Sequence, residues 1–501
     1  MNQLKGGIVL NYIIIVLNIL LGLLYTPYML RMLGQNEYGL YSLVASIIAY
    51  LTLLDFGFGS AIVRYTAKFI NENKQKEQWE LNGMFLSVYS IIGVLAIGLG
   101  LLLYYNIDWL FESKMTEDDL NQARVMIILL ILNLALTFPL SIFGSIITAY
   151  QDFIFQRVLN IIRLLLSTGV IVVLLYFGYK AVAMVVVQTL FNISILLINC
   201  IYCFRKLKIK VYFSNFNLAL LKEIVIYSFW IFLSQIIDRV YWGTGQFVLG
   251  SLIGTTAVAV FSVAILLQQM YMTFSNSISN VLLPRLTMLA NKKGTEHEVS
   301  ELFIKAGRIQ SLIMAFILSG FIVFGRVFIN FWAGSDYSES YYITLIFFIA
   351  LFIPTVQTTG YVILQARNRM KFRSLVYLGI SVISLVMQVV LTKRFGIIGC
   401  ACAIGGALLL GQGLIMNMYY SRKQSIEIGT FWREIFHILI VPLILSIVFS
   451  LVNLNNIFSN VYYFVTGIVI YSLLYMFLSY YIALNPYEKG LLFNMFNRIK
   501  K

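Results

Sequence analysis

Apolar runs of about 18 to 25 residues recur along the whole chain, each long enough to cross a hydrocarbon core of about 30 Å as a helix. That recurrence sets the fold class before any single residue is weighed. Of 501 residues, 60% are hydrophobic and only 11% charged, whereas a soluble domain carries roughly 25% charged residues. No water-soluble core could absorb so much apolar surface. The strands of a membrane β-barrel alternate in character over about 10 residues, and nothing here does. The chain reads as an all-α polytopic membrane protein with about 14 transmembrane helices.

The spans fall at 8–30, 40–62, 83–105, 125–149, 158–177, 181–203, 223–246, 257–283, 306–330, 341–364, 375–392, 397–419, 435–452 and 462–483. The first holds Pro27 and lacks a small-x-small cleavage site, so it reads as a retained span rather than a signal peptide. Lysine and arginine collect on the cytoplasmic side of membrane proteins. With the N-terminus inside, 27 of the 36 basic residues fall in cytoplasmic segments and 7 in outer ones, while Arg163 and Arg239 lie within spans. Both termini are therefore expected in the cytoplasm. The net charge of +15 then reflects topology and attraction to anionic lipid, and no nucleic-acid partner is inferred from it.

No loop exceeds about 22 residues, so the helices themselves must carry the function and no enzyme is expected. The acidic segment Asp108 to Asp119 and the basic segment Arg205 to Lys222 read as solvated connections. The cysteines Cys200, Cys203, Cys400 and Cys402 lie in or at the ends of apolar runs and suit packing. His297 and His437 are too far apart in the chain to form a pair, and no metal or other cofactor is expected.

A weak internal repeat organises the spans. Leu33-Gly34-x3-Tyr38-Gly39-Leu40-Tyr41-Ser42 matches Ile253-Gly254-x3-Val258-Ala259-Val260-Phe261-Ser262 at an offset of 220. Pro139, Gly144, Arg157 and Phe177-Gly178 are echoed by Pro354, Gly360, Arg373 and Phe395-Gly396. An even number of spans per copy gives both copies the same orientation. The expected organisation is an N-terminal six-helix bundle (1–204), a cytoplasmic basic linker (205–222), a second six-helix bundle (223–419) related to the first by pseudo-two-fold symmetry, and two C-terminal helices with a tail (420–501).

The run Leu33-Gly34-x3-Tyr38-Gly39-Leu40-Tyr41, then Asp55-x-Gly57-x-Gly59 with Arg64, and Asp238-Arg239 before Gly250 and Gly254, resembles the polysaccharide transporter family of the multidrug/oligosaccharidyl-lipid/polysaccharide exporter superfamily. Its O-antigen and capsule repeat-unit flippases are the most similar in type. The resemblance implies movement of undecaprenyl-pyrophosphate-linked oligosaccharides from the inner to the outer leaflet by alternating access. It implies as partners the lipid-linked oligosaccharide, membrane lipids and other polysaccharide assembly proteins. The second copy departs from the first, with Ser275 and Ser277 standing where Asp55 and Gly57 stand.

Carrying a pyrophosphate through hydrocarbon calls for cations, and guanidinium groups bind phosphate oxygens in bidentate fashion. Arg239, about 24 Å along its span from Glu223, and Arg163, about 9 Å into its span from Arg157, are the deepest candidates; neutralisation by a neighbour or snorkelling is the plainer account of each. Arg64 and Arg285 end corresponding helices and Arg31 sits at the opposite mouth, positions that topology alone also explains. Asn18 aligns with Asp238 at the 220 offset, which suggests a shared cavity wall. Asp55, about 13 Å from Arg64, and Asp238 are candidates for H+ or Na+ coupling or for structural pairing with an arginine. Gly34, Gly39, Gly57 and Gly59 suit bending or close packing. The competing readings are an exporter of cationic drugs, which calls for an excess of acidic groups in the cavity, and a membrane glycan polymerase or ligase, which calls for a large outer loop.

Overall fold

The computed structural model describes residues 3–111, 114–213, 216–290, 296–367, 369–452 and 457–490, and the side chains of all of these except 4, 5, 227, 230, 231, 277–287 and 290. Among the described residues there is no strand. The helices are α1 (Gln3–Leu51), α2 (Phe58–Asn71), α3 (Gln75–Tyr105), α4 (Ile107–Phe111), α5 (Glu117–Ala149), α6 (Phe153–Tyr176), α7 (Ala181–Arg205) and α8 (Leu218–Leu252). Then follow α9 (Thr255–Ala290), α10 (Glu296–Trp332), α11 (Ser340–Val356), α12 (Thr358–Ala366), α13 (Met370–Leu408), α14 (Asn417–Gln424), α15 (Ile428–Val452) and α16 (Val461–Leu478).

Among the described residues, ten helical stretches are long and apolar enough to cross a membrane, and an eleventh forms if α11 and α12, bent by 41°, count as one broken span. Pro354 inside α11 cannot donate to the helix ladder, which accounts for the bend. Two of the ten are too long for one crossing: Gly6–Asn71 has 66 residues and Met370–Gln424 has 55, about 99 and 82 Å at 1.5 Å per residue. Each is turned by a left-handed glycine, Gly34 (φ 76°) and Gly396 (φ 62°). Counting those two as a pair of crossings each, and adding the 35-residue α8, gives the fourteen expected from the sequence. The repeat-related glycines share this conformation: Gly254 (φ 128°) matches Gly34, and Gly178 (φ 85°) matches Gly396.

Contacts group the chain into two compact units, Met1–Ala259 and Val260–Lys501. In the first, α5 is central, packed against α3, α7, α2 and α1, while α6 lies along α1. Polar cross-links replace part of the apolar packing: Asn192 Nδ2 donates to Asn133 (2.7 Å) and Thr137 (2.9 Å), and Tyr41 pairs with Gln188. The second unit is built on α10, which packs on α15 and α11. An aromatic core of Phe324, Phe449, Phe458, Tyr471 and Tyr475 fixes α15 and α16 against it.

Both segments expected to be solvated connections are instead docked. Asp119, only 7% exposed, forms a reciprocal cap with Thr116 at the start of α5 and accepts a hydrogen bond from Asn36 (2.7 Å). Residues 206–213 turn out of α7 through Lys208 (φ 52°) and then lie as a strap on α3. Tyr212 N donates to Trp79 O (3.0 Å), Asn82 donates to Lys210 O (3.2 Å), and the Lys210 ammonium sits 5.1 Å from the Trp79 ring centroid. The alternation Leu207, Ile209, Val211 against Lys206, Lys208, Lys210 lets one side of the strap bury while the other stays wet.

The second unit also holds a charged clamp. Arg308 of α10, counted above among cytoplasmic-loop cations, is 3% exposed. It meets Glu488 through two hydrogen bonds (2.7 and 2.9 Å), Glu434 of α15 (2.6 Å) and the Ala483 carbonyl (2.8 Å). The clamp ties α15 and the chain after α16 to α10 about 24 Å along the helix from Phe324 of the aromatic core. Removing one member of a buried ion network costs about 3 to 5 kcal/mol. Arg308→Ala should therefore lower the thermal unfolding midpoint of the detergent-solubilised protein clearly more than Arg124→Ala, which breaks only a half-exposed pair with Asp108; equal midpoints would contradict the clamp.

Candidate functional site

Span 2, expected as one helix over 40–62, is broken. The helix ends at Leu51, residues Thr52–Asp55 form a 3-10 turn, Phe56 (φ 52°) and Gly57 (φ 72°) take the left-handed conformation, and α2 starts at Phe58. Asp55 closes the 3-10 turn and stands at the break. Its carboxylate accepts hydrogen bonds from the backbone N–H groups of Gly57, the N-cap residue of α2, and of Gly59 in its first turn, and from the Tyr89 hydroxyl on α3 (2.6 Å). An acid over a helix N-terminus satisfies donors that have no partner within the helix and sits at the positive end of its dipole. The partners of Asp55 are thus neutral donors, and no basic side chain among the described residues lies within ion-pairing distance of it. The second copy lacks the acid, and there α9 runs unbroken from Thr255 to Ala290. Ser275, at the position of Asp55, donates to the Thr355 carbonyl instead (2.7 Å).

The break lies on α8. Tyr65 of α2 donates to Glu223 (2.8 Å), the Phe56 ring meets Phe232 at 4.7 Å, and Tyr50 sits over the notch at Gly243 with its hydroxyl 3.4 Å from the Arg239 carbonyl. Further along, Leu43 fills the notch at Gly250. One side of α8 therefore follows span 2 past its break. Asp238 and Arg239 stand on α8 near this seam with exposed side chains, Arg239 close enough to Tyr50 to act on it electrostatically. Arg64 is exposed on α2, its guanidinium 6.0 Å from the Tyr65 ring centroid.

The remaining candidates scatter. Arg31 is exposed just before the Gly34 turn. Arg163 is half-buried on α6, with no hydrogen-bond or ion-pair partner among the described residues, and Asn18 is exposed on α1 with its amide donating to Ile14 O (2.9 Å). The Arg285 side chain lies outside the described residues. Among the glycines, Gly34 and Gly57 are required by their left-handed backbones. Gly39 is required by proximity, since an added Cβ would overlap the Thr255 carbonyl, whereas at Gly59 a Cβ would have ordinary contact with Ser145 (3.6 Å). Tyr89 and Tyr50 are the residues that the sequence left among bulk aromatics. A tyrosine in mid-span beside an acid on the preceding helix was the available signal.

A cavity of about 310 Å³ in the second unit is lined by Leu267, Phe274, Phe316, Phe324, Phe464 and other apolar groups. No Asp, Glu, Lys, Arg or His is among its lining residues. If the break in span 2 depends on Asp55 and Gly57, then Gly57→Ala should destabilise the protein by about 1 to 3 kcal/mol, the cost of a left-handed non-glycine residue. Tyr89→Phe should cost about 1.5 to 3 kcal/mol through the lost hydrogen bond to a carboxylate, and Gly59→Ala should be tolerated. Thermal unfolding of the three variants checks the order.

The profile of a family described as "Polysaccharide biosynthesis protein" matches residues 4–290. A candidate O-antigen transporter of Shigella flexneri is 20% identical over 416 residues, covering 80% of this chain and 93% of its own length. The fold is similar to that of the lipid II flippase MurJ in an inward closed conformation, with a TM-score of 0.73 at 16% identity, covering 94% of this chain and 97% of that one. It is also similar to an inward-facing multidrug resistance transporter of the MATE family in the MOP superfamily, with a TM-score of 0.60 at 15% identity, covering 82% and 99%. The profile match spans more than half of the 501 residues, and the chain is a multi-pass membrane protein that belongs to the polysaccharide biosynthesis protein family.

Proposed function

We propose that the protein moves undecaprenyl-pyrophosphate-linked oligosaccharides from the inner to the outer leaflet of a bacterial plasma membrane by alternating access, without catalysing a reaction. The repeated segments 1–204 and 223–419 serve as its two halves, joined by 205–222 and followed by 420–501. The observation that carries this reading is the sign of the charge within the spans. Arg163 and Arg239 are available to an anion, while Asp55 is occupied as a helix cap. A drug exporter of the same fold would want the reverse balance. The family match and the transporter from Shigella flexneri support a glycan substrate.

In this scheme Arg64 and Arg285 collect the diphosphate at the cytoplasmic mouth, where both termini also lie, and Arg31 releases it on the other side. Coupling to H+ or Na+ runs through Asp55 or Asp238. Protonation of Asp55 would remove an acceptor from the first turn of α2 and loosen the break in span 2, so that a proton would act directly on the geometry of the helix. Membrane lipids and other polysaccharide assembly proteins are the expected partners.

Reconstitution in liposomes tests the function: labelled undecaprenyl-pyrophosphate oligosaccharide should pass from the inner to the outer leaflet only with the protein present. Failure under every ion gradient would overturn the proposal. Asp55→Asn should slow transport at normal expression, and an unchanged rate would assign Asp55 to architecture alone.

A further inference from the structure

Helices α1 and α6 run side by side and parallel. Gly7 of α1 lies against Phe153 of α6, and the Tyr28 hydroxyl donates to the Val172 carbonyl (3.2 Å). The partners are 146 positions apart at one end and 144 at the other. This register places Asn11 of α1 level with Arg157 of α6, and Asn18 level with Arg163.

Taking about 100° per residue, each helix has two opposed sides. On α6 the exposed apolar residues Val158, Ile162, Leu165, Leu166 and Val173 centre on one side, with Val170 nearer to Arg163. Arg157, Asn160, Arg163 and Ser167 centre roughly on the other. On α1 the exposed apolar residues Ile8, Val9, Tyr12, Ile13, Val16, Leu20 and Leu24 form one side, and Asn11, Asn18 and Tyr25, at heptad spacing, lie roughly opposite. The apolar sides are those that suit acyl chains. The polar sides face away from them, yet Asn160 and Asn18 are exposed there and Arg157 and Arg163 only half-buried. Polar groups exposed at membrane depth face water rather than lipid.

This polar track is short of partners. Neither Arg157 nor Arg163 has a hydrogen-bond or ion-pair partner among the described residues, Asn160 has none, and the Tyr25 hydroxyl is buried without one. Elsewhere in the chain a buried arginine is fully engaged, as Arg308 is with Glu488 and Glu434. Two arginines about 9 Å apart along the axis of one helix, with carboxamides between and opposite them and no ion-pairing acid among the described residues, form a site for an anion with two phosphate groups.

We propose that the α1–α6 track binds the diphosphate of a prenyl-linked substrate, with Arg157 and Arg163 as the charged ligands and Asn18 and Asn160 as positioning donors. The proposal rests on the flippase reading for the identity of the lipid, but not for the existence of the anion site. It adds to that reading a path within the first unit, running along α6 from Arg157 inward.

The test is binding of farnesyl pyrophosphate, a soluble prenyl diphosphate, to the purified full-length protein, with farnesol and inorganic pyrophosphate as the other probes. Arg163→Gln should weaken farnesyl pyrophosphate binding about tenfold, the loss of one bidentate charge-assisted contact. Arg163→Lys should weaken it less, and Asn18→Ala and Asn160→Ala a few-fold, all at unchanged thermal midpoint. Farnesol should not compete. Inorganic pyrophosphate should bind through the same arginines but more weakly; equal affinity would overturn the assignment to a lipid-borne diphosphate. Wild-type affinity in an Arg157→Gln, Arg163→Gln double variant would overturn the track, even where the wild-type protein transports in liposomes. Failure of transport beside an Arg163-dependent affinity would overturn the flippase reading and leave the site standing.

Discussion

Inside a bilayer no water is at hand for an unpaired backbone group, so each interruption of a helix has to supply its own donors and acceptors. The architecture is shaped by how this chain meets that demand. At Gly34, Gly254, Gly178 and Gly396 the chain reverses between spans through a left-handed residue, at turns where the interface provides water. The interruption in span 2 falls deeper, and there a side chain is used: Asp55 receives the N–H groups of Gly57 and Gly59, and Tyr89 supplies a further donor. The acid in the apolar run is thus answered by the backbone that its own break releases. Because α8 follows span 2 past that point, with Tyr50 in the Gly243 notch and Phe56 against Phe232, the break also fixes where Asp238 and Arg239 stand.

The second unit solves a different problem with an opposite tool. Its final spans are nearly featureless apolar helices whose packing against α10 could slide. The aromatic core gives them area, while the Ser319–Tyr471 hydrogen bond (2.6 Å) and the Arg308 network give them register. A buried ion network adds little net stability compared with apolar packing, but it penalises every misaligned arrangement. That is the service a slippery helix pair needs.

Much of this was legible in the sequence. Spans follow from apolar length, and the repeat pointed to Gly34 with Gly254 and to Gly178 with Gly396 before any backbone angle was known. Asp55 and Gly57 stood out because a charge and a glycine pair are rare in such a run. What stayed hidden depended on partners distant in the chain. Tyr89 carries meaning only beside Asp55, and Arg308 read as a loop cation because Glu434 and Glu488 lie more than a hundred residues away. The strap at 206–213 carried lysines enough to pass for solvated chain, although its alternate residues were apolar. The level pairing of Asn18 with Arg163 needed the register of two parallel helices, which no single-span pattern contains.

The difference between span 2 and its counterpart α9 has a mechanical meaning. A helix interrupted by a capped turn is a jointed rod, and an uninterrupted one is a stiff strut. With the joint present in one copy of the repeat and absent from the other, corresponding helices of the two copies differ in stiffness. The joint occupies residues 52 to 57, and a single carboxylate sits at it.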